Sequence, residues 1–200
     1  VRQRFRDDKA TFDICFVAHR YTDNGRDKGY DVFVKVAKLL SPLHKDMVFH
    51  IVGPFNESHI DVSDIKGSLR FYGNKYTDFF PGFYANMDVI LSPNRPFMLG
   101  PGSFDGFPTG ACVEAGLCGV AVFCSDPLQQ NLHFEDGREL VIVRPDQTTE
   151  ICQRLEYFYK NPDDLYSLGS RGREAFREVF GLSAQMRPRM NILTSLLNQN

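Results

Sequence analysis

DGFPTGACVEAGLCG occupies residues 105–119 and runs directly into VAVFCSD at residues 120–126. The pattern predicts a Gly- and Pro-rich turn, a short apolar helix that Gly119 ends, and a buried strand. One carboxylate, Asp105, precedes the helix, and a second, Glu114, lies on it. Free backbone N–H groups at a helix N-terminus favour an anion, and acidic side chains favour hydroxyl groups. The stretch therefore predicts a site for a ligand with both phosphate and hydroxyls, such as a sugar nucleotide.

Short apolar segments alternate with helix-length segments along the rest of the chain. We predict strands at residues 14–18, 47–52, 69–72, 88–91, 120–123 and 139–143. We predict helices at residues 28–40, 78–85, 110–118, 148–159, 162–179 and 183–197. Strands that are almost entirely apolar are typical of a parallel sheet covered on both faces. The fold class predicted is a doubly wound, Rossmann-like α/β domain with six parallel strands.

The composition is that of one ordinary soluble domain. Of the 200 residues, 42% are hydrophobic and 24% charged, and the formal net charge is −2. This is enough apolar material for one sizeable core. Because there is no basic field, we expect no nucleic-acid partner. The apolar runs are strand-sized and the first residues lack the apolar region of a signal peptide, so we expect a cytoplasmic protein, with peripheral membrane attachment of the full-length protein left open.

The sequence carries no pattern of a metal or cofactor site. Its five cysteines form no C-x-x-C pair and have no histidine at ligand spacing, so we do not expect a zinc site. We expect the cysteines to be buried free thiols. Gly100 and Gly102 flank a proline and do not fit the spacing of a dinucleotide fingerprint, which argues against a nicotinamide cofactor.

Two loops are placed to meet a ligand, because ligands of such sheets bind beyond the carboxyl ends of the strands. The loop after the first strand, residues 19–29, carries three cations: Arg20, Arg26 and Lys28. The loop at residues 92–109 is unusually long for a compact domain, and such loops are commonly functional. Cations that converge with a helix N-terminus at one sheet edge suit a diphosphate. Among the histidines, His19 and His133 are the best placed to line the cleft.

The stretch at residues 105–126 resembles the donor-site motif of the group 1 family of retaining glycosyltransferases, which have the two-domain GT-B fold. Four segments carry the resemblance: Asp105-Gly-Phe-Pro, Glu114-Ala, Cys118-Gly and Ser125-Asp. Lys28-Gly29 is similar to the Lys-Gly element of the same family, with Arg20 as the arginine that accompanies it and Arg26 as its competitor. The chain departs from the usual pattern in one place: its first acid is an aspartate, and the spacing to Glu114 is one residue longer.

The resemblance implies transfer of a sugar from a nucleoside-diphosphate sugar to an acceptor hydroxyl, with retention at the anomeric carbon. Lys28 and Arg20 would stabilise the leaving diphosphate, and Glu114 would accept hydrogen bonds from the ribose. Asp105, together with the turn Gly106, Phe107, Pro108 and Thr109, would orient the transferred sugar. Neither a metal nor a cofactor is required by this arrangement, and the acceptor is not specified.

The resemblance also implies an organisation of the chain. Residues 1–10 are expected to be a linker or N-terminal extension, residues 11–182 the donor-binding domain, and residues 183–200 a C-terminal helix available to cross to an N-terminal domain outside this sequence. Half of the cleft would then be absent, so the fragment alone is expected to be inactive. Two alternatives remain open: a non-catalytic nucleotide-sugar-binding module, which the altered spacing favours, and a sugar-nucleotide epimerase on the same fold.

Overall fold

The computed structural model describes residues 2–197 and is built around one sheet. Its strands are β1 Phe12–Val17, β2 Met47–Val52, β3 Leu69–Gly73, β4 Val89–Ser92, β5 Ala121–Cys124 and β6 Val141–Ile142. They form a six-stranded sheet in the order β3-β2-β1-β4-β5-β6, and every neighbouring pair is parallel. The predicted fold class is confirmed.

Helices cover both faces of the sheet. They are α1 Tyr30–Leu40, α2 Phe80–Tyr84, α3 Gly110–Leu117, α4 Thr148–Lys160, α5 Pro162–Phe180 and α6 Leu182–Leu197. Buried side chains of α1 and α4 form the core on one face, and those of α2 and α3 form the core on the other. Helix α5 contributes to both, with Leu165 on the first and Phe176 on the second. No helix within residues 2–197 is both long and apolar enough to cross a membrane.

All predicted strands and helices are present, and their bounds lie within two residues of the predicted ones. Two of these differences affect the loops at the ends of the sheet. Helix α1 begins at Tyr30 and not at Lys28, because Gly29 takes a left-handed backbone conformation, with φ of 77°. The sixth strand is limited to two residues and not the predicted 139–143. The residues before it close a turn, in which the N–H of Gly137 donates to the carbonyl of Leu140. Lys28 therefore lies in a loop, where its side chain is set by contacts outside a helix.

The N-terminal segment packs against the domain over its described residues, 2–10. Phe5 is 3% exposed and contacts the rings of Phe12 and Tyr159. The ammonium of Lys9 pairs with Asp13 at 2.6 Å and with Asp88 at 2.8 Å. At the other end of the chain, α6 has no buried side chain. Residue 1 of the expected linker, and residues 198–200 of the expected C-terminal segment, lie outside the described part of the chain.

Candidate functional site

The site lies where the strand order reverses, between the adjacent strands β1 and β4. At such a reversal the connections on either side leave the sheet in opposite directions, which opens a crevice at the carboxyl ends of the strands. The loop after β1, residues 18–29, and the loop after β4, residues 93–109, meet there. The two predicted ligand loops therefore form one edge of the crevice.

Close backbone contacts hold these two loops together. A Cβ atom at Gly29 would overlap the carbonyl oxygen of Pro93, so only glycine permits the approach. The N–H of Arg95 donates to the carbonyl of Asp27 at 2.9 Å. The guanidinium of Arg95 also donates to both carboxylate oxygens of Asp31 on α1, at 2.7 and 3.0 Å. The loops are thus braced against each other and against α1.

Lys28 is the central cation of the crevice. Its side chain is buried, with 8% exposed, and its ammonium forms an ion pair with the carboxylate of Asp105. Oδ2 of Asp27 lies 3.9 Å from the same ammonium, and the ring of Tyr21 lies beneath it, 4.7 Å away at its centroid. Asp105 also accepts a hydrogen bond from the amide of Asn94 at 3.0 Å. The positive charge of Lys28 is therefore balanced by carboxylates.

The N-terminus of α3 forms a second wall. Thr109 caps the helix, because its hydroxyl accepts the N–H of Cys112 at 3.4 Å. Gly106, with φ of 83°, turns the chain between Asp105 and this cap. Thr109, Gly110 and Ala111 border the crevice, so the unpaired N–H groups of the first helical turn open toward it. This end of α3 favours an anion.

The crevice is a cavity of about 490 Å³. Besides Lys28, Asp105 and the start of α3, its lining includes side chains from the loops after β1, β3 and β4: His19, Tyr21, Asn74, Lys75 and Asn94. The volume lies within the range of small-molecule sites, and the lining combines cations, amides and aromatic rings.

Glu114 lies just outside the lining of this cavity. It follows Gly110 by four positions and Ala111 by three, so the helical repeat places it on the same face of α3, one turn further along. The residue is exposed as a whole, but its carboxyl group is partly desolvated against the protein, which raises the pKa of that group. The structure therefore places Glu114 on the same wall as the anion-favouring helix end.

The structure brings together Lys28, Asp105 and Thr109, but not every predicted site residue. The guanidinium of Arg20 donates to the carbonyls of Pro54, Thr22 and Asp23, at 3.2, 3.4 and 3.1 Å, and does not line the cavity. Two further candidates, Arg26 and His133, are exposed and do not line the cavity either. The turn residues Gly106, Phe107 and Pro108 connect Asp105 to α3 without lining the cavity.

Sequence reasoning missed the polar residues Asn94, Tyr21, Asn74 and Lys75. Asn94 and Asn74 could have been found by position, because each follows closely on a strand end at the ligand-binding edge of the sheet. Within residues 2–197, no group of three or more His, Cys, Asp or Glu side chains is arranged to hold a metal ion.

Comparisons with known proteins agree with this architecture. The family model described as glycosyl transferase-like matches residues 32–188. The C-terminal domain of a group 1 family glycosyl transferase from Francisella tularensis superimposes with a TM-score of 0.66 at 15% identity, over 86% of this chain and 87% of that one. No curated protein matches the sequence.

The chain also superimposes on parts of longer proteins. Sucrose-phosphate synthase from Thermosynechococcus elongatus matches with a TM-score of 0.73 at 17% identity, over 96% of this chain and 47% of that one. HepE from Anabaena, in complex with UDP-glucose, matches with a TM-score of 0.72 at 16% identity, over 93% of this chain and 49% of that one. This chain thus spans about half the length of each. By the family match the chain belongs to the glycosyl transferase-like family, and it has the Rossmann-like fold of the C-terminal domain of a group 1 glycosyltransferase.

Proposed function

We propose that this chain is the donor-binding half of a retaining glycosyltransferase that moves a sugar, of the hexosyl class, from a nucleoside diphosphate to an acceptor hydroxyl. One observation carries the proposal: a buried lysine, Lys28, and the open N-terminus of α3 border a single cavity where the strand order reverses. A cation and a helix N-terminus that face one cavity are suited to a diphosphate.

Lys28 stabilises the charge that develops on the leaving diphosphate. A bound diphosphate replaces Asp105 as the partner of Lys28, which leaves the Asp105 carboxylate free to accept hydrogen bonds from the transferred sugar. The N–H groups of Gly106, Phe107 and Thr109 help to orient that sugar, whereas Pro108 has no N–H to donate.

Arg20 is the proposed second cation. This role requires its guanidinium to leave the three carbonyl groups that it now contacts.

Glu114 accepts hydrogen bonds from the ribose hydroxyls. Its position one turn beyond the start of α3 fits a nucleotide whose phosphates lie at the helix N-terminus. The acceptor oxygen then bonds to the anomeric carbon as the bond from that carbon to the diphosphate oxygen breaks, and the hydroxyl proton passes to the departing diphosphate. The diphosphate is held by protein cations and amides, so we propose a reaction that needs neither metal nor cofactor.

A related protein supports a nucleotide-sugar partner, because one structure of HepE contains UDP-glucose and another contains UDP. The second half of the cleft, including most of the acceptor site, belongs in this proposal to an N-terminal domain of a longer protein, toward which α6 crosses. We place the reaction in the cytoplasm, where the five free cysteines stay reduced, and link it to carbohydrate biosynthesis.

The test is a donor screen on the full-length protein. UDP-, GDP- and ADP-sugars are supplied with candidate acceptors, nucleoside diphosphate release is followed, and the anomeric configuration of the product is read by NMR. We expect nucleoside diphosphate release with one class of donor and retention of the anomeric configuration in the product. A chelator should not lower the rate. Absence of binding by every donor would contradict the proposal, and so would an inverted product. The isolated 200-residue chain should bind the donor without transferring the sugar.

A non-catalytic nucleotide-sugar-binding module is the second candidate. It is favoured by the ion pair of Lys28 with Asp105, which reduces the charge available to a leaving group, and by the longer spacing from Asp105 to Glu114. Binding without turnover by the full-length protein would select it. An epimerase would instead convert the sugar without releasing nucleoside diphosphate.

A further inference from the structure

A second cavity, of about 290 Å³, adjoins the first at the Lys28–Asp105 ion pair. Four residues line both cavities: Tyr21, Lys28, Asn94 and Asp105. The ion pair therefore lies in the wall that the two cavities share. A ligand in the second cavity would face a diphosphate sugar in the first across this wall.

Most of the remaining lining of the second cavity comes from the long loop after β4, which forms hydrogen bonds within itself and to neighbouring elements. At its base Arg95 is fixed by Asp31 and by the carbonyl of Asp27. At its tip the N–H of Phe97 donates to the carbonyl of Ser103 at 2.7 Å, and the hydroxyl of Ser103 accepts the N–H of Leu99 at 3.3 Å. The loop thus presents a defined surface.

The tip of this loop is apolar and exposed. Phe97, Met98 and Leu99 are consecutive and are 53%, 38% and 56% exposed, and Met98 and Leu99 line the second cavity. Single exposed apolar residues are common on protein surfaces, but contiguous ones beside a cavity are typical of binding sites. The loop therefore offers apolar contact next to the reacting centre.

The charged groups that line this cavity already have partners. Arg95 pairs with Asp31 and Lys28 with Asp105. The carboxylate of Asp27 is buried, and its Oδ1 accepts the hydroxyl of Thr22 at 2.7 Å. Its Oδ2 has no hydrogen-bond partner within residues 2–197, lies 3.9 Å from the ammonium of Lys28 and is itself buried, so it is closed to a ligand in the cavity. An ionic ligand would have to displace one of these pairs, whereas an uncharged ligand would not. The cavity is suited to an uncharged, partly apolar molecule.

We propose that the second cavity is an acceptor subsite for an uncharged amphiphilic alcohol, such as an alkyl glycoside. The apolar part of the acceptor packs on Met98 and Leu99, and its hydroxyl end points to Lys28 and Asp105. When a bound diphosphate replaces Asp105 as the partner of Lys28, the wall opens there and the hydroxyl meets the anomeric carbon. This inference rests on the proposed function, because it places the acceptor across the shared wall from the donor. It assigns to the donor-binding half a part of acceptor recognition.

The test uses this 200-residue chain, in which the six-stranded sheet and both core clusters lie within residues 2–197. The chain is saturated with nucleoside diphosphate and titrated by NMR with octyl β-glucoside below its micelle concentration, and separately with glucose. The probed variant carries Met98→Ser and Leu99→Ser. The matched control is Leu43→Ser, which also removes an exposed leucine, 68% exposed, but lies outside both cavities.

We expect octyl β-glucoside to bind at least about tenfold more tightly than glucose, the effect of burying one or two apolar side chains. The double variant should lose most of this difference, and Leu43→Ser should keep it. Equal affinity of the double variant and the wild type would overturn the inference. So would failure of octyl β-glucoside to bind while nucleoside diphosphate still binds, as expected if the loop contacts another protein domain instead. If nucleoside diphosphate itself does not bind, the proposed function fails first, and this inference fails with it.

Discussion

Lys28 and Asp105 lie 77 positions apart in the sequence and form an ion pair at the carboxyl edge of the sheet. The pair joins the loop after β1 to the loop after β4, on the two sides of the reversal in strand order. Asp105 thus holds the position next to Lys28 that a phosphate group would take in the proposed function. An anion must compete with this carboxylate for the ammonium.

Asp105→Asn should therefore strengthen binding of a nucleoside diphosphate that carries no sugar. Removing one carboxylate frees the charge of Lys28, and because Asp105 is partly exposed we expect a gain of only about 1 kcal/mol. Isothermal titration calorimetry at low and high salt measures it, with Asp146→Asn as the control at an exposed aspartate outside both cavities. Weaker binding of the diphosphate by Asp105→Asn would show that the carboxylate supports the anion and does not compete with it.

Gly29→Ala should destabilise the domain and distort the site. An alanine at this position would have to hold a left-handed backbone conformation, which costs about 1–2 kcal/mol. Its Cβ would also overlap the Pro93 carbonyl. Urea denaturation measures the loss. Gly67→Ala is the control, because no atom lies within 4 Å of the Cβ that it adds. Equal stability of the two variants would mean that the loops do not need this close approach.

Lys9→Met should destabilise the domain by about 3–5 kcal/mol, the range for removing one partner of a buried ion pair. The change leaves the buried carboxylates of Asp13 and Asp88 without their common cation. Burial already raises the pKa of Asp88, so this group should take up a proton in the variant. Lys45→Met, at an exposed lysine, is the control in the same denaturation experiment. A loss no greater than in the control would mean that the ion pairs of Lys9 contribute little to stability.

The sequence predicted the sheet well because its strands are bounded by clear signals. Strand β2 has the predicted bounds, Met47–Val52, since an apolar run ends at Gly53-Pro54. Packing of residues 2–10 was not predicted, because Phe5 is a single apolar residue in a basic segment. The periodicity of a sequence does not show where one such side chain will be buried.

Only some features of the candidate site could be predicted, because the others depend on contacts within loops. Lys28 and Asp105 follow from the rule that places ligands at the carboxyl ends of strands, combined with the resemblance of their motifs. The direction of Arg20 depends on carbonyl groups of residues 22, 23 and 54, and a loop has no periodic pattern that would reveal such contacts. The second cavity depends on the folded shape of residues 93–109, which composition alone does not specify.

Nucleoside binding should depend on pH through Glu114. An ordinary glutamate has a pKa of about 4.3. Partial burial raises the pKa of the Glu114 carboxyl group, so this group takes up a proton at a higher pH. Ribose hydroxyls donate to the ionised form, and binding should weaken as the pH falls through this raised pKa. Titrations of nucleoside at several pH values measure the effect, and Glu114→Gln should abolish the step. A step of equal size in the variant would assign it to another group.

The same pKa shift predicts a stability change with the opposite dependence on pH. A carboxyl group whose pKa is higher in the folded state stabilises the fold at low pH, and this contribution is lost as the pH rises through the folded pKa. Without ligand, Glu114→Gln should therefore be no less stable than the wild type at neutral pH. Denaturation of both proteins at neutral and acidic pH checks this, and it separates a binding defect from a folding defect.

The central claim is that Lys28 and Glu114 belong to one nucleotide site, with the phosphates at Lys28 and the ribose at Glu114. Calorimetric titration of a nucleoside and of its diphosphate into Lys28→Ala, Glu114→Gln and the exposed control Lys35→Ala tests it most directly. We predict that Lys28→Ala weakens the diphosphate by about 1.5–3 kcal/mol and spares the nucleoside, whereas Glu114→Gln weakens both by a similar amount. The claim would be contradicted if Lys28→Ala weakened binding of the nucleoside and of its diphosphate equally. It would also be contradicted if both folded variants bound these ligands as the wild type does.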